Sequence, residues 1–374
     1  MTQFPSLIWM IVFFILAIFP LVVLHELGHY SVGRLFGIKA EVFSIGFGRR
    51  IAGWRDKRGT DWQIGMIPLG GYVRFAGDMN AASQSDPEWL KLPPNERDQT
   101  FQSKPLWQRA LVVAAGPAAN FLFAIIMLAA LFAAYGEPRI APVVGDFSPT
   151  SAAKAAGMKI GDRIVSIEGE TIDRFDDIGL IVQVRPGRAT TFVVERGNTR
   201  QAIVVTPKLE KMEDITGTAI MTGRIGVAPA KIERVRLSLV ELPGAATRFT
   251  IQSVETMVRA LGQIVVGDRS VRELGGPVKM AATSEKVAAL GFVSFLFFMA
   301  MVSINLGFIN LLPIPTLDGG HLAFYAVEAV QRKPVGPTAQ EWAYRSGLFA
   351  LLAFMLFVTI NDLVGLGLFG HLAG

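Results

Sequence analysis

Long uncharged apolar runs alternate with polar stretches along the chain, and that alternation predicts most of its elements. From Leu7 to Leu24 no charged residue occurs; further uncharged runs cover Ala110–Tyr135, Val287–Leu317 and Ser346–Ile360, the last extended by Leu363–Phe369 beyond Asp362. Each approaches or exceeds the roughly 20 helical residues needed to cross about 30 Å of hydrocarbon. Between the first two runs, Ile38–Gly77 alternates apolar and polar residues with glycine interruptions, as in EVFSIGFGRRIAGW and WQIGMIPLGGYVRFAG. That pattern predicts a membrane-associated β-hairpin or sheet, with Gly46, Gly48, Gly70 and Gly71 at bends or close backbone approaches. Asn80–Gln99 is polar and proline-bearing, which predicts a loop.

The stretch between the second and third runs reads as a separate α+β unit. Pro142-Val143-Val144-Gly145 leads into a small-residue helix ending at Ala156-Gly157, then a strand over Arg163–Ile167 and a turn at Glu168-Gly169. A helix over Asp176–Val184 follows, then strands over Ala189–Glu195 and Gln201–Pro207 and a last strand over Arg224–Ala228. This order resembles a PDZ domain of the permuted bacterial kind, a fold that binds extended peptide ends by strand addition. From Arg234 to Val266 apolar residues recur at helical spacing, which suits a helix lying on the membrane face or packed on the PDZ unit.

Composition turns the apolar runs into membrane spans. Hydrophobic residues make up 51% of the 374 positions, and the mean hydropathy is +0.42. The net charge of +5 suits anionic lipid headgroups rather than nucleic acid. The first basic residue is Arg34, followed by Lys39, Arg49, Arg50, Arg55, Lys57 and Arg58. The positive-inside rule therefore sets the N-terminus outside and the residues after the first span in the cytoplasm. Four spans then leave Gly136–Lys286 and the C-terminus extracytoplasmic, and the 320–345 loop inside. A basic leader is lacking before the first run, which predicts that it is retained rather than cleaved.

Chemistry concentrates at the end of that first span. His25-Glu26-Leu27-Gly28-His29 is an HExxH pattern placed at membrane depth, where ionisable groups are costly. Residues four apart share a helix face, so His25 and His29 can ligate one ion, while Glu26 is offset and suits a base towards water. With no cysteine in the chain, the remaining ligand to a zinc ion must be histidine or carboxylate. Asp318 is the only acidic residue between Glu285 and Glu328 and falls at the cytoplasmic end of the third span, the depth assigned to the two histidines. It is the preferred third ligand, with His321 three residues on as competitor; an Asp-Gly turn or helix cap is the alternative reason for Asp318.

These motifs together resemble the site-2 protease family, and more narrowly the bacterial RseP-type intramembrane metalloproteases. The resemblance rests on HELGH, on Asn310-x-x-Pro313-x-Pro315-x-Leu317-Asp318-Gly319-Gly320, on Ala115-Gly116-Pro117-Ala118-Ala119-Asn120, on Gly275-Gly276-Pro277-Val278 and on the PDZ-like insertion. It implies one Zn2+ per chain held by His25, His29 and Asp318, with Glu26 as catalytic acid/base. It also implies Asn305, Asn310, Pro313 and Pro315 in handling an unwound substrate segment, and a β segment, including Gly46 and Gly48, that receives the substrate as an added strand. Expected substrates are single-span membrane proteins already cut by another protease, such as anti-sigma factors or remnant signal peptides. The chain departs from the better-known tandem arrangement in having one PDZ pattern in its outer loop.

The expected architecture is thus a polytopic α-helical protein of the bacterial inner membrane with both termini extracytoplasmic. Its parts are a first span with HExxH (1–36), the β region (37–80), a cytoplasmic loop (81–106), a second span (107–135), a PDZ domain (139–229) and an amphipathic linker helix region (231–286). A third span with LDGG (287–318), a cytoplasmic loop (319–344) and a fourth span (345–372) complete it. The rival readings are a catalytically silent PDZ scaffold, which the intact His25, Glu26, His29 and Asp318 oppose, and a metal transporter, which would carry polar residues in more spans or show repeat symmetry.

Overall fold

The computed structural model describes residues 7–78, 87–182, 185–213, 219–230, 232–266 and 275–365. In chain order the elements are α1 (Leu7–Leu35), β1 (Ala40–Arg55), β2 (Asp61–Phe75), α2 (Pro94–Arg97), α3 (Leu106–Tyr135), β3 (Glu137–Ile140), β4 (Val144–Phe147) and α4 (Ala152–Ala155). Next come β5 (Arg163–Ile167), β6 (Glu170–Thr171), α5 (Phe175–Val182), β7 (Thr190–Arg196), β8 (Thr199–Val205), β9 (Lys208–Glu213), β10 (Ala219–Arg224), β11 (Val227–Pro229) and β12 (Ile232–Val235). Helices α6 (Glu241–Val266), α7 (Pro277–Ala289), α8 (Phe292–Asn310), α9 (Asp318–Gln331) and α10 (Pro337–Gly365) end the described chain.

Four of these helices, α1, α3, α8 and α10, are long and apolar enough to cross a membrane. The third span is shorter than its apolar run. The expected single span over 287–318 is interrupted at Gly291, whose φ of 113° is a left-handed conformation that favours glycine, so α7 stops and α8 starts afresh. At the other end Pro313 and Pro315 stop the helix, and Leu311–Leu317 runs as consecutive turns before Asp318 opens α9. The segment expected as a loop over 319–344 is accordingly mostly helical, holding α9 and the first turns of α10. The last residues of the expected fourth span, and His371, lie outside the described residues.

The chain divides into two compact units. The first holds α1, β1, β2, most of α3 and α7 to α10. Here the β segment is folded more tightly than a hairpin. Val42–Ile45 pairs on one side with Asp61–Ile64 and on the other with Gly71–Arg74, while Arg50–Arg55 pairs with the outer side of Asp61–Gly65. β1 and β2 each double back, giving four antiparallel arms in the order 50–55, 61–65, 40–45, 71–75. The last arm is an edge. The sheet seats on the helices through Ile38, Phe43, Val73, Phe75, Val112 and Val113, and through Tyr30, whose ring meets Phe43 at 5.8 Å and Trp62 at 5.3 Å. A carboxylate fastens the far helices: buried Asp362 of α10 accepts the backbone N–H groups of Gly276 at 3.1 Å and Lys279 at 2.8 Å, satisfying free donors at the start of α7.

The second unit is built on the sheet β6-β5-β7-β8, joined by the pairs β4–β11, β3–β12 and β9–β10. Its core is Val144, Ile164, Ile167, Ile178, Phe192 and Val205 with their neighbours. The buried carboxylate of Asp162 accepts two 2.7 Å bonds from Arg196 and one from the Lys159 N–H at 2.8 Å. Burial pushes the carboxyl up, but those bonds outweigh it and hold Asp162 below its ordinary value. The expected linker helix region over 231–286 differs at its start, since Ile232–Val235 is a strand paired with Glu137–Ile140.

Candidate active site

Helix α1 delivers the HExxH side chains to one depth. His25 and His29 lie one turn apart with Nε2 atoms 3.1 Å from each other, and His25 and Glu26 are each only 8% exposed. Asp318, first residue of α9, reaches both: Oδ2 is 3.1 Å from His25 Nε2 and Oδ1 is 3.5 Å from His29 Nε2. His25, His29 and Asp318 are the one group among the described residues whose ligand atoms converge as a metal site requires.

The donor set fits zinc. Bonds of 2.0–2.1 Å at tetrahedral angles set donor atoms about 3.3 Å apart; His25 Nε2 stands 3.1 Å from both His29 Nε2 and Asp318 Oδ2, while the other carboxylate oxygen, Oδ1, is 3.5 Å from His29 Nε2. His29 Nδ1 donates to the Val112 carbonyl at 2.8 Å, and a carbonyl can only accept, so His29 Nε2 offers a lone pair. Asp318 Oδ2 is buried with no hydrogen bond of its own.

Glycine lets the elements converge. A Cβ on Gly116 of α3 would lie 2.3 Å from His29 Nε2 and 2.8 Å from His25 Cε1, and one on Gly28 would lie 2.3 Å from the Ala115 carbonyl oxygen. Helices α1 and α3 therefore touch backbone to backbone beneath the two imidazoles. Gly319 and Gly320 do the same for Asp318: a Cβ on either would lie 2.3 Å from the carbonyl oxygens of Leu311 and Leu312, or of Ile314. The two glycines tuck the start of α9 under the Leu311–Leu317 turns.

The competing ligand is engaged elsewhere. His321 points its Nδ1 at the Tyr344 hydroxyl of α10, 2.9 Å away. Asn305 and Asn310 are half-buried on α8, and Pro313 and Pro315 lie in the non-helical turns, Pro315 against Gly347 of α10. Gly46 and Gly48 have another reason to be glycine than a bound strand. Both have positive φ, 87° and 85°, where β1 doubles back, and both face Ile67 of their own hairpin. The backbone close to the site is instead the edge arm of β2: a Cβ on Gly71 would lie 3.0 Å from Glu26 Cγ, and the Val73 amide hydrogen-bonds to Glu26.

Two contributors stand in the Ala115–Asn120 motif, but sequence reasoning assigns them no role in the site. Gly116 acts through the side chain it lacks. Asn120, fully buried, meets His25 Nδ1 at 3.1 Å across 95 residues of chain; the signals that point to it are its place in that motif and its polarity in an otherwise apolar span.

The model of peptidase family M50 matches residues 13–354. A protein of Agrobacterium fabrum bearing the name "Putative zinc metalloprotease Atu1380" is 42% identical over 361 residues, covering 95% of this chain and 96% of that one. A Mesorhizobium japonicum protein named in the same terms is also 42% identical, over 94% of this chain and 98% of its own. "Metalloprotease MmpA" of Caulobacter vibrioides is 37% identical, over 98% of both chains. With its four membrane-length helices, the chain is a multi-pass membrane metalloprotease. It belongs to peptidase family M50, the site-2 protease family.

Proposed function

We propose that this chain is a zinc endopeptidase that cuts single-span membrane proteins near the cytoplasmic face, after another protease has shortened their outer portion. The observation that carries the reading is the convergence of His25 Nε2, His29 Nε2 and an Asp318 carboxylate at tetrahedral spacing, at the end of an apolar helix and beside Glu26. When bound there, zinc supplies polarisation of the scissile carbonyl and activation of water. His25, His29 and Asp318 hold it. Glu26 takes the proton from the attacking water and returns it to the leaving amine. Its position favours that role, since it is offset around α1 from the ligand face and shielded by Gly71.

A peptide bond inside a helix is shielded by its own hydrogen bonds, so the substrate must enter extended. The 71–75 arm, the edge of its sheet beside Glu26, supports strand addition there. The Leu311–Leu317 turns, with Asn310, Pro313 and Pro315, and Asn305 one turn and more before them, give the unwound segment a second wall. The second unit serves as a PDZ domain outside the cytoplasm. Its helix-and-sheet order and a cleft of about 350 Å³ lined by Asp146, Phe147, Ser148, Arg224, Val227 and Ala228 support a module that admits shortened substrates. The charge pattern around α1 supports placement in the bacterial inner membrane with both termini extracytoplasmic.

Metal removal tests this reading. Dialysis of the purified protein against a chelator is expected to abolish cleavage of a single-span reporter, and one equivalent of zinc to restore it. Cleavage that survives complete removal of metal would overturn it.

A further inference from the structure

Each imidazole in the site has two nitrogens, and ligation through Nε2 requires the proton on Nδ1. For His29 the Val112 carbonyl settles this, because it can only accept. His25 has no carbonyl at Nδ1. It has the side-chain amide of Asn120 at 3.1 Å, from a residue that is fully buried in α3 and whose backbone carbonyl accepts from the Ser303 hydroxyl of α8 at 2.8 Å.

A side-chain amide can serve either His25 tautomer, by turning end for end. With Nδ2 towards the ring, Nδ1 accepts and the proton sits on His25 Nε2, where it bonds to His29 Nε2 at 3.1 Å and faces the Asp318 carboxylate 3.1 Å away. With Oδ1 towards the ring, Nδ1 donates and His25 Nε2 presents a lone pair. It then joins the lone pairs of His29 Nε2 and Asp318 around one point, an arrangement that is costly in a buried site unless a cation occupies it. The amide oxygen has no other use in the fold, for Asn120 Oδ1 is buried without a hydrogen-bond partner. Its two ends are nearly equal in size, so the turn needs no repacking.

We propose that Asn120 is the positioning residue for His25, its amide oxygen accepting the Nδ1 proton whenever His25 Nε2 ligates metal. This rests on the reading that His25 is a zinc ligand. Asn120 does not touch substrate. It fixes which nitrogen faces the ion and the plane of the ring, as the partner of a metal-bound histidine does elsewhere, where its loss costs about 10- to 100-fold in metal affinity.

The test uses the full chain in detergent with zinc as the probe, and reads affinity by chelator competition alongside 15N resonances of labelled histidine. Asn120→Leu can neither donate nor accept and is expected to weaken zinc binding about 10- to 100-fold, whereas Asn120→Asp, which can only accept, is expected to stay within about threefold of wild type. In the zinc-loaded wild type, His25 is expected to show a protonated Nδ1 and a metal-bound Nε2. That resonance decides the matter even where Asn120→Leu fails to fold: a His25 bound through Nδ1 overturns the proposal. So does wild-type affinity in a folded Asn120→Leu while His25→Ala loses the metal, which leaves the active-site reading standing. Zinc retained at wild-type affinity by His25→Ala overturns both.

Discussion

Replacing Gly116 with alanine adds one methyl group and tests how tightly the site is built. Alanine is the better helix former by about 1 kcal/mol, so local structure alone predicts a slightly more stable α3. The site predicts harm. The new Cβ would stand 2.3 Å from His29 Nε2 and 2.5 Å from His29 Cε1, where carbon contacts need about 3.5 Å. Relief requires a shift of about 1 Å in the imidazole or in α3, against a tolerance of about 0.2 Å in a ligand bond. Displacing a ligand should cost at least as much as the upper range for disturbing its partner, about 100-fold in zinc affinity or about 2.8 kcal/mol. The assay is zinc competition with a chromophoric chelator on detergent-purified protein, with thermal unfolding in parallel. Gly262→Ala in α6, where a Cβ would meet nothing within 4 Å, is the control and should bind zinc as wild type does. Wild-type zinc affinity in a folded Gly116→Ala would refute the claim that α3 closes directly over the two histidines.

Other expectations follow from the same geometry. Asp318→Asn should lower zinc affinity by 10-fold or more, whereas His321→Ala, which loses only its bond to Tyr344, should leave zinc content unchanged; the opposite ranking in metal analysis would exchange their roles. In the second unit, the folded pKa of Asp162 is held down, so its contribution to stability is complete above the ordinary carboxylate value near 4 and is lost as pH falls through the lower folded value. Hydrogen exchange of β5 and β7 in the full chain should show protection falling over that acid range in wild type. Asp162→Asn should lack that component, and an identical acid profile in the two proteins would contradict the assignment.

Much of the candidate site is legible in the sequence because ionisable groups are expensive within an apolar run. His25, Glu26 and His29 stand out against eighteen uncharged positions before them, and Asp318 stands out as a lone acid in a long apolar stretch. Pro313 and Pro315 announce the unwound turns by removing backbone donors. What the sequence hides is whatever acts by absence or at long range. Gly116, Gly319 and Gly320 work through missing Cβ atoms, and their neighbours are carbonyls and rings that no local pattern names. Asn120 meets His25 only because two helices cross. The β segment is visible as alternation, but its pairing is not: bends at Gly46–Gly48 and near Gly70 turn two strands into four arms and give the position beside Glu26 to Gly71 rather than to Gly46 or Gly48. The pairing of Ile232–Val235 with Glu137–Ile140 is equally remote, closing the second unit across about 90 residues of chain. Gly291 breaks an apolar run that reads as continuous, because hydropathy is blind to one positive φ.

The central claim is that Glu26 moves protons while His25, His29 and Asp318 hold the metal. Glu26→Gln separates these roles most directly, since glutamine keeps the size and loses the base. Zinc content and cleavage of a single-span reporter, measured on the same preparation, should show metal at the wild-type level and cleavage reduced by at least 100-fold, the lower range for losing a general acid–base. Cleavage at the wild-type rate, or loss of zinc from the variant, would contradict the account.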